Sequence, residues 1–431
     1  MSFLKNSLIV VLGMLTLTAA ELVLFGNNGM SVVAEASSGE ATVSTISQFE
    51  TALKDASINS IVLKNSISFT KNITGIPNRD VVINGSDDNG VVIISGPYGI
   101  QAKTNYSGTN NFTIKNAEIV GHSTSGRFFE ATDGWNVLVE DVIYDGVRFV
   151  NVSNGNLTFS GENRITTLYE NATARHLKFE ADSTYTGLAA TKNNYQSPAF
   201  DFNGKSVSGK AVGTIIVGKK ANVNIGVGLN TNNYSRPAFQ GKVTQIDVEE
   251  DAKLNIDAAG VAFQFASRTD YATINPIFTI GEKSKVSING QGAGNQAAMK
   301  LQSSNTSINI NPRGSLVVTG NSTKAVIESA RGTQFNLLQA ENFEIKNRKI
   351  GSKLFYSLNT SIKGVAMQNI EVWSQTGGDY LENSMGVFQA ENYFVSFGKV
   401  YDSQMISVTG DLSQQFRPEI YGKISLKGGS F

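Results

Sequence analysis

A twelve-residue phrase written four times limits what this chain can fold into. It reads IIVGKKANVNIG from Ile215, IDVEEDAKLNID from Ile246, FTIGEKSKVSIN from Phe278 and ININPRGSLVVT from Ile308. In each copy apolar residues occupy the first, third, ninth and eleventh positions. That is the period of two of a strand with one buried face, and a small residue (Ala221, Ala252, Ser284, Gly314) holds the seventh position. The copies start 31, 32 and 30 residues apart, a period that signals a solenoid. A third apolar stretch lies near each phrase: Ala199 to Phe202, Ala238-Phe239, Ala262 to Phe265, Ala298 to Leu301, and Ala325 to Ile327 after the last. These repeated segments lack a 3.6 period, so the expectation is an all-β solenoid with three strands per coil, each coil burying its inward face only on its neighbours.

The middle of the phrase varies freely. It is Gly-Lys-Lys, Glu-Glu-Asp, Gly-Glu-Lys or Asn-Pro-Arg. The acids Glu249, Glu250 and Asp251 therefore read as an exposed turn, because one flexible turn lacks the six to eight oxygens that calcium takes. No metal or other cofactor is expected. Only His122 and His176 are present, in unrelated contexts, which argues against His-rich zinc sites and a Ser-His-Asp triad. With 36 acids and 36 bases the chain has no net charge to hold a nucleic acid, and with no Cys it has no disulfide to stabilise it.

Lys5, the apolar run Leu8 to Ala20, and Ala34 with Ala36 spaced as a small-x-small site read as a secretory signal, residues 1–36. Glu21 ends the run short of the roughly 20 residues a membrane span needs. The mature chain is expected outside the cytoplasm, without membrane insertion. Residues 37–46, small and polar, read as a flexible leader. Ser47-Gln48-Phe49-Glu50 fits a capping box, which predicts a short amphipathic helix from Gln48 to Ala56 that covers the exposed first coil. The β-helix is placed at residues 47–349. In its first half the strands Val81 to Gly85, Phe112 to Asn116, Val137 to Val139 and Leu157 to Gly161 end on or beside residues suited to tight corners. From 350 to 431 alternating strands without the third-strand repeat (Gln368 to Trp373, Val387 to Phe397, Glu419 to Leu426) predict a C-terminal β cap or appendage. No Leu-Pro-x-Thr-Gly signal occurs, so no covalent wall anchor is expected.

SQFETALKDASINSIVL from Ser47, NRDVVING from Asn78, NFTIKNAEIVG from Asn111, and Phe335 to Asn347 with Trp373 together resemble the pectate lyase-like adhesive domain of secreted and surface proteins of Gram-positive bacteria, over roughly residues 45 to 400. The resemblance implies a right-handed parallel β-helix and a role in adhesion.

A calcium-dependent polysaccharide lyase acting on acidic polysaccharide is the alternative. Such an enzyme needs clustered carboxylates and an Arg or Lys base, and Asp141, Asp145 and Arg148 are the nearest approach to that set. Ile143 would share their face, so ordinary surface charges is the preferred reading, and no catalytic residue is assigned. Gly290-Gln291-Gly292-Ala293-Gly294 reads as an inter-coil loop. One loop repeats: Asn-Asn-Tyr and Pro-Ala-Phe recur 39 residues apart, at 193–200 and 232–239. Equivalent loops leave the same flank of a solenoid, so Tyr195 and Tyr234 are candidate contacts for a glycan or an extracellular protein, or else lids on their own coils.

Overall fold

Stacked first strands run the length of the computed structural model and form a parallel β-helix. The structure describes residues 39–428 except 86–89, 106–107, 122–125, 191–196, 208–211, 230–235, 266–274, 358, 401–402, 411 and 413–414. The signal reading of residues 1–36 lies outside the described residues. No described helix is long and apolar enough to cross a membrane.

The four phrases stack in the register that their spacing implies. Ile215 pairs with Ile246, Ile246 with Phe278, and Phe278 with Ile308, all in parallel. On the second strands Val223, Leu254, Val286 and Leu316 form the matching column. A further column of second strands runs Ile225, Ile256, Ile288, Val318 and Ile345, each at most 2% exposed. The third strands add Phe200 on Phe239, and Phe263 on Met299, Ile327 and Phe355. There Met299 pairs with Ile327, which sets Ala298 level with Val326.

Between the first and second strands each coil turns on one left-handed residue. Lys220, Asp251, Lys283 and Arg313 have φ of 60°, 59°, 58° and 59°. A side chain costs roughly 1–2 kcal/mol in that conformation, and the backbone ladder on either side holds it there. The small seventh residue is fully buried under the turn, which leaves room for Ala, Ser or Gly only. Asp141, Asp182 and Gln339 adopt the same conformation at φ of 53°, 60° and 60°.

The coils before residue 190 are shorter. Phe112, Val137, Leu157, Leu177 and Ile215 are successive column partners, separated by 25, 20, 20 and 38 residues. Two of these coils contain little beyond their strands and corners, which hides the repeat from a fixed-period reading. Here a polar residue enters the core. Asn171, at 0% exposure, donates to Thr167 Oγ1 at 2.8 Å and Leu188 O at 3.1 Å and accepts from Tyr185 OH at 3.1 Å. Gly187 is required beside it, since a Cβ there would sit 2.5 Å from the Tyr185 ring.

Both ends are closed. The helix spans Ile46–Lys54, two residues earlier than expected, with Thr45 as N-cap receiving Gln48 N–H at 3.3 Å. Thr45-Ile46-Ser47-Gln48 is an overlapping capping sequence, and choosing it adds Ile46 to the face that packs on the core beside Phe49 and Leu53. Arg79, from the next coil, donates to Ala52 O at 3.0 Å, Leu53 O at 3.2 Å and Asp55 O at 3.0 Å and so caps the helix C-terminus. The flexible leader is not what the structure shows at 40–43. Glu40–Val43 forms a strand that pairs in parallel with Ser60–Leu63, Ala41 over Ile61 and Val43 over Leu63. Two inward apolar groups and a free coil edge suffice to order that segment.

Parallel stacking continues to Asn359–Gly364, past the expected boundary at 350. Five antiparallel strands follow: Gln368–Ser374, Gly386–Ala390, Tyr393–Val400, Ser403–Thr409 and Tyr421–Gly428. Tyr421–Gly428 pairs antiparallel with the last second strand, Asn342–Asn347, and Tyr393–Val400 with Asn359–Gly364. Reversed strands thus cover the last parallel edges of the first and second strands. Tyr380, itself at φ 54°, donates to Asn347 O and lies 2.8 Å from Gly422 O, joining the last coil to the cap.

Ile256 stands in mid-column with Ile225 and Ile288 above and below. Ile256→Asp leaves an unpaired charge in that column and is expected to cost about 3–5 kcal/mol, while Ile256→Val costs about 1 kcal/mol. Equilibrium denaturation by urea measures both, and an Asp variant as stable as the parent refutes this register.

Candidate ligand-binding flank

The third strands are short, and their outward side chains form a polar column. Gln101, Glu130, Asn151, Thr173, Asp201 and Gln240 succeed one another as ladder partners. Gln264, Lys300, Glu328 and Tyr356 do so on the later coils. Strands in a sheet lie about 4.8 Å apart, so this column offers a polar group at each such step along the solenoid except at Thr173, which is buried.

The two corners beside the column are charged. At the corner leading into it, Arg127 and Arg148 come from adjacent coils and converge on Glu170. Arg127 Nη2 donates to Glu170 Oε1 at 3.0 Å and Arg127 Nη1 to Glu130 Oε1 at 3.2 Å. Arg148 Nε lies 2.7 Å from Glu170 Oε1, close enough for an ion pair but off the line of a hydrogen bond, and its guanidinium stacks 4.4 Å over the Tyr169 ring. At the corner leading out, Asn154 donates to Asp133 Oδ1 at 2.6 Å and accepts from Arg175 at 3.1 Å and from the Lys205 N–H at 2.6 Å. Lys205 Nζ closes the set on Asp133 Oδ2 at 2.8 Å, and this contact holds the Asp133 carboxyl below its usual range. Asn151, bonded to Glu130 at 3.0 Å and to Ser153 at 2.7 Å, ties the corners together. The result is a belt of amides, carboxylates and guanidinium planes fixed by one another. It can bind polar groups and stack on flat ones.

The residues weighed for lyase chemistry do not meet. Asp141 sits at a coil corner and accepts the Glu162 N–H at 2.7 Å. Asp145 lies four residues on, about 13 Å along an extended strand, with Ile143 exposed between them. Arg148 is engaged at the other corner by Glu170. Among the described residues no three acidic or His side chains are grouped to hold a metal ion.

The acid cluster is part of an ion ladder on the opposite corner. Glu250 lies 2.6 Å from Lys219 and 3.7 Å from Lys283, and Glu282 lies 2.7 Å from Arg313. Glu249 accepts the Lys219 N–H at 3.0 Å. Lys219 lowers the Glu250 carboxyl below its ordinary range and is itself raised by it. Charges of opposite sign on successive coils thus neutralise the cluster. The Gly290 to Gly294 segment runs into a single 3-10 turn, Ala293–Asn295, too short for an anion site.

Tyr195, Tyr234 and His122 lie outside the described residues. The strands that the two repeated loops lead into are described and stack directly, Phe200 N–H donating to Ala238 O at 2.8 Å. Sequence reasoning missed the Arg127, Arg148 and Glu170 meeting, because Arg127 and Glu170 are 43 residues apart in coils of unequal length.

Residues 40–151 match the family model described as "Putative pectate lyase-like adhesive domain". That segment includes Arg127, Glu130, Arg148 and Asn151 of the belt. No curated protein matches the chain. Among solved structures the fold is similar to the SRRP of L. reuters 100-23, at 14% identity and a TM-score of 0.52 over 75% of this chain and 97% of that one. The SRRP of L. reuteri 53608 is 16% identical with a TM-score of 0.42, over 73% of this chain and 98% of that one.

His176, beside the belt, is the one described histidine. Its Nδ1 is 2.8 Å from Thr214 Oγ1, and burial, helped by neighbouring Arg175, pushes its pKa down to about 4. The unfolded chain takes up that proton near the ordinary value of about 6.5. Stability carried by neutral His176 is therefore complete above about pH 6.5 and falls as the pH drops toward 4, by at most about 3 kcal/mol. Urea midpoints of the parent and of His176→Gln, compared between pH 7 and 4, measure this: the parent is expected to show the steeper fall, and parallel profiles refute it.

Proposed function

We propose that this chain is a secreted, non-catalytic, adhesin-like β-helical protein that holds a glycan or an extracellular or surface protein along the flank of its third strands. The observation that carries this reading is the match of residues 40–151 to an adhesive-domain model, on a segment that contains Arg127, Glu130, Arg148 and Asn151 of the charged belt. A long flank supplies many polar contacts spread over successive coils, which suits retention of an extended partner better than turnover of a small one. The separation of Asp141, Asp145 and Arg148 favours binding over lyase chemistry. The sequence of residues 1–36 supports export, with the mature chain starting after Ala36. Tyr195 and Tyr234 are proposed as contacts, since their loops lead into stacked strands of the same flank.

The test is to incubate the mature protein with immobilised acidic and neutral glycans and with extracellular matrix proteins, measuring retention and product release separately and with calcium supplied. Retention of one class without release of unsaturated oligosaccharide is expected. Tyr195→Ala with Tyr234→Ala is expected to weaken it by about 1–3 kcal/mol at an unchanged melting temperature. Calcium-dependent release of product, lost in Asp141→Ala, establishes the lyase instead.

A further inference from the structure

The cap contains an edge with which no further strand pairs among the described residues. Strand Gly386–Ala390 pairs antiparallel with Gln368–Ser374, and among the described residues with no other strand. Its inward side is anchored: Phe388 packs against the core and meets Phe416 edge-on at 5.6 Å. Outward and leading into it are Leu381 at 93% exposure, Met385 at 56% and Val387 at 61%. Gly-Val-Phe-Gln-Ala contains no charge and no proline, the two devices that usually keep an open edge from pairing.

We propose that this edge is a homophilic contact, in which strand Gly386–Ala390 of one copy pairs antiparallel with the same strand of a second copy. The two-fold axis then stands perpendicular to the sheet, and both copies keep the same face toward their cores. Facing residues on paired strands must point to the same side, so the axis passes through a residue rather than between two. Centred on Phe388, the pairing overlaps the whole strand. Val387 faces Gln389, Gly386 faces Ala390, and Met385 faces Glu391 of the other copy. No like charges stand opposite in this register, and the zero net charge of the chain adds no long-range repulsion. The exposed Met385 and Val387 of both copies come onto one face of the joined sheet, which gives the contact apolar area as well as backbone hydrogen bonds. Such a contact lies apart from the third-strand flank and does not rest on the proposed adhesive function. It would let copies of this protein join one another while that flank stays free.

The full mature chain is examined by sedimentation velocity over a concentration series, beside Val387→Lys and the double variant Val387→Lys with Gln389→Glu. The parent is expected to dimerise. Val387→Lys, which sets a charge on the edge, is expected to weaken the dimer by about tenfold or more. In the double variant each Lys faces a Glu of the other copy, twice per dimer, and association is expected to return. Because residue 387 is exposed, the melting temperatures of all three, taken at a concentration too low for association, should agree, which separates loss of association from loss of fold. A parent that stays monomeric overturns the proposal. A Val387→Lys variant that dimerises like the parent overturns it too, and failure of the double variant to recover overturns the register centred on Phe388.

Discussion

Stacking of inward apolar side chains on identical columns, one coil over the next, is the constraint on which this structure depends. A single coil is three short strands that bury nothing on their own. Placed on a neighbour about 4.8 Å away, its backbone groups find partners and its inward residues lose contact with water. Columns such as Ile225, Ile256, Ile288 and Val318 are the product. Stability then belongs to the stack, which makes the two ends its weak points. The helix Ile46–Lys54 with Arg79 behind it closes one, and the reversed strands joined through Tyr380 close the other.

The same constraint separates what must be kept from what can vary. Inward positions and the small residue at the first corner are fixed by space, while outward positions and turn residues face only solvent and the adjoining coil. One corner uses this freedom to alternate charge from coil to coil, Lys219 to Glu250 to Lys283 and Glu282 to Arg313. The flank of the third strands uses it differently, gathering guanidinium, amide and carboxylate groups into a cross-linked belt. Its members restrain each other, so a partner that binds there meets groups already in place, and less ordering entropy is lost on binding. The similarity to the SRRP of L. reuters 100-23 concerns the fold and leaves the identity of any partner to the chemistry of this flank.

How far each feature could be read from the sequence follows the length of its coil. Where coils are 30 to 32 residues long, the phrases announce their own register, and Ile215, Ile246, Phe278 and Ile308 pair as their spacing says. Where they shrink to 20, as from Val137 to Leu157 to Leu177, strands are recognisable but their order of stacking is not. The helix starts two residues before the position its sequence predicts because two capping sequences overlap, and only the packing of Ile46 distinguishes them. Glu40–Val43 gave too short an alternation to stand out as a strand, and it became one because a free coil edge lay beside it.

The sequence by itself determined the class of fold, since a period of two within segments and a period near 31 between them admits little except stacked β-coils. It also determined which residues point inward, and it left the Glu249, Glu250 and Asp251 turn free of any ligand requirement. Only the tertiary structure decided which outward groups meet. Lys205 reaches Asp133 across 72 residues, and Arg127 reaches Glu170 across 43. Those separations are sums of coil lengths, and coil lengths vary with loops that carry no inward pattern. Side chains meeting across coils therefore depend on a register that apolar periodicity leaves unspecified wherever the loops change, and the stacked backbone supplies it.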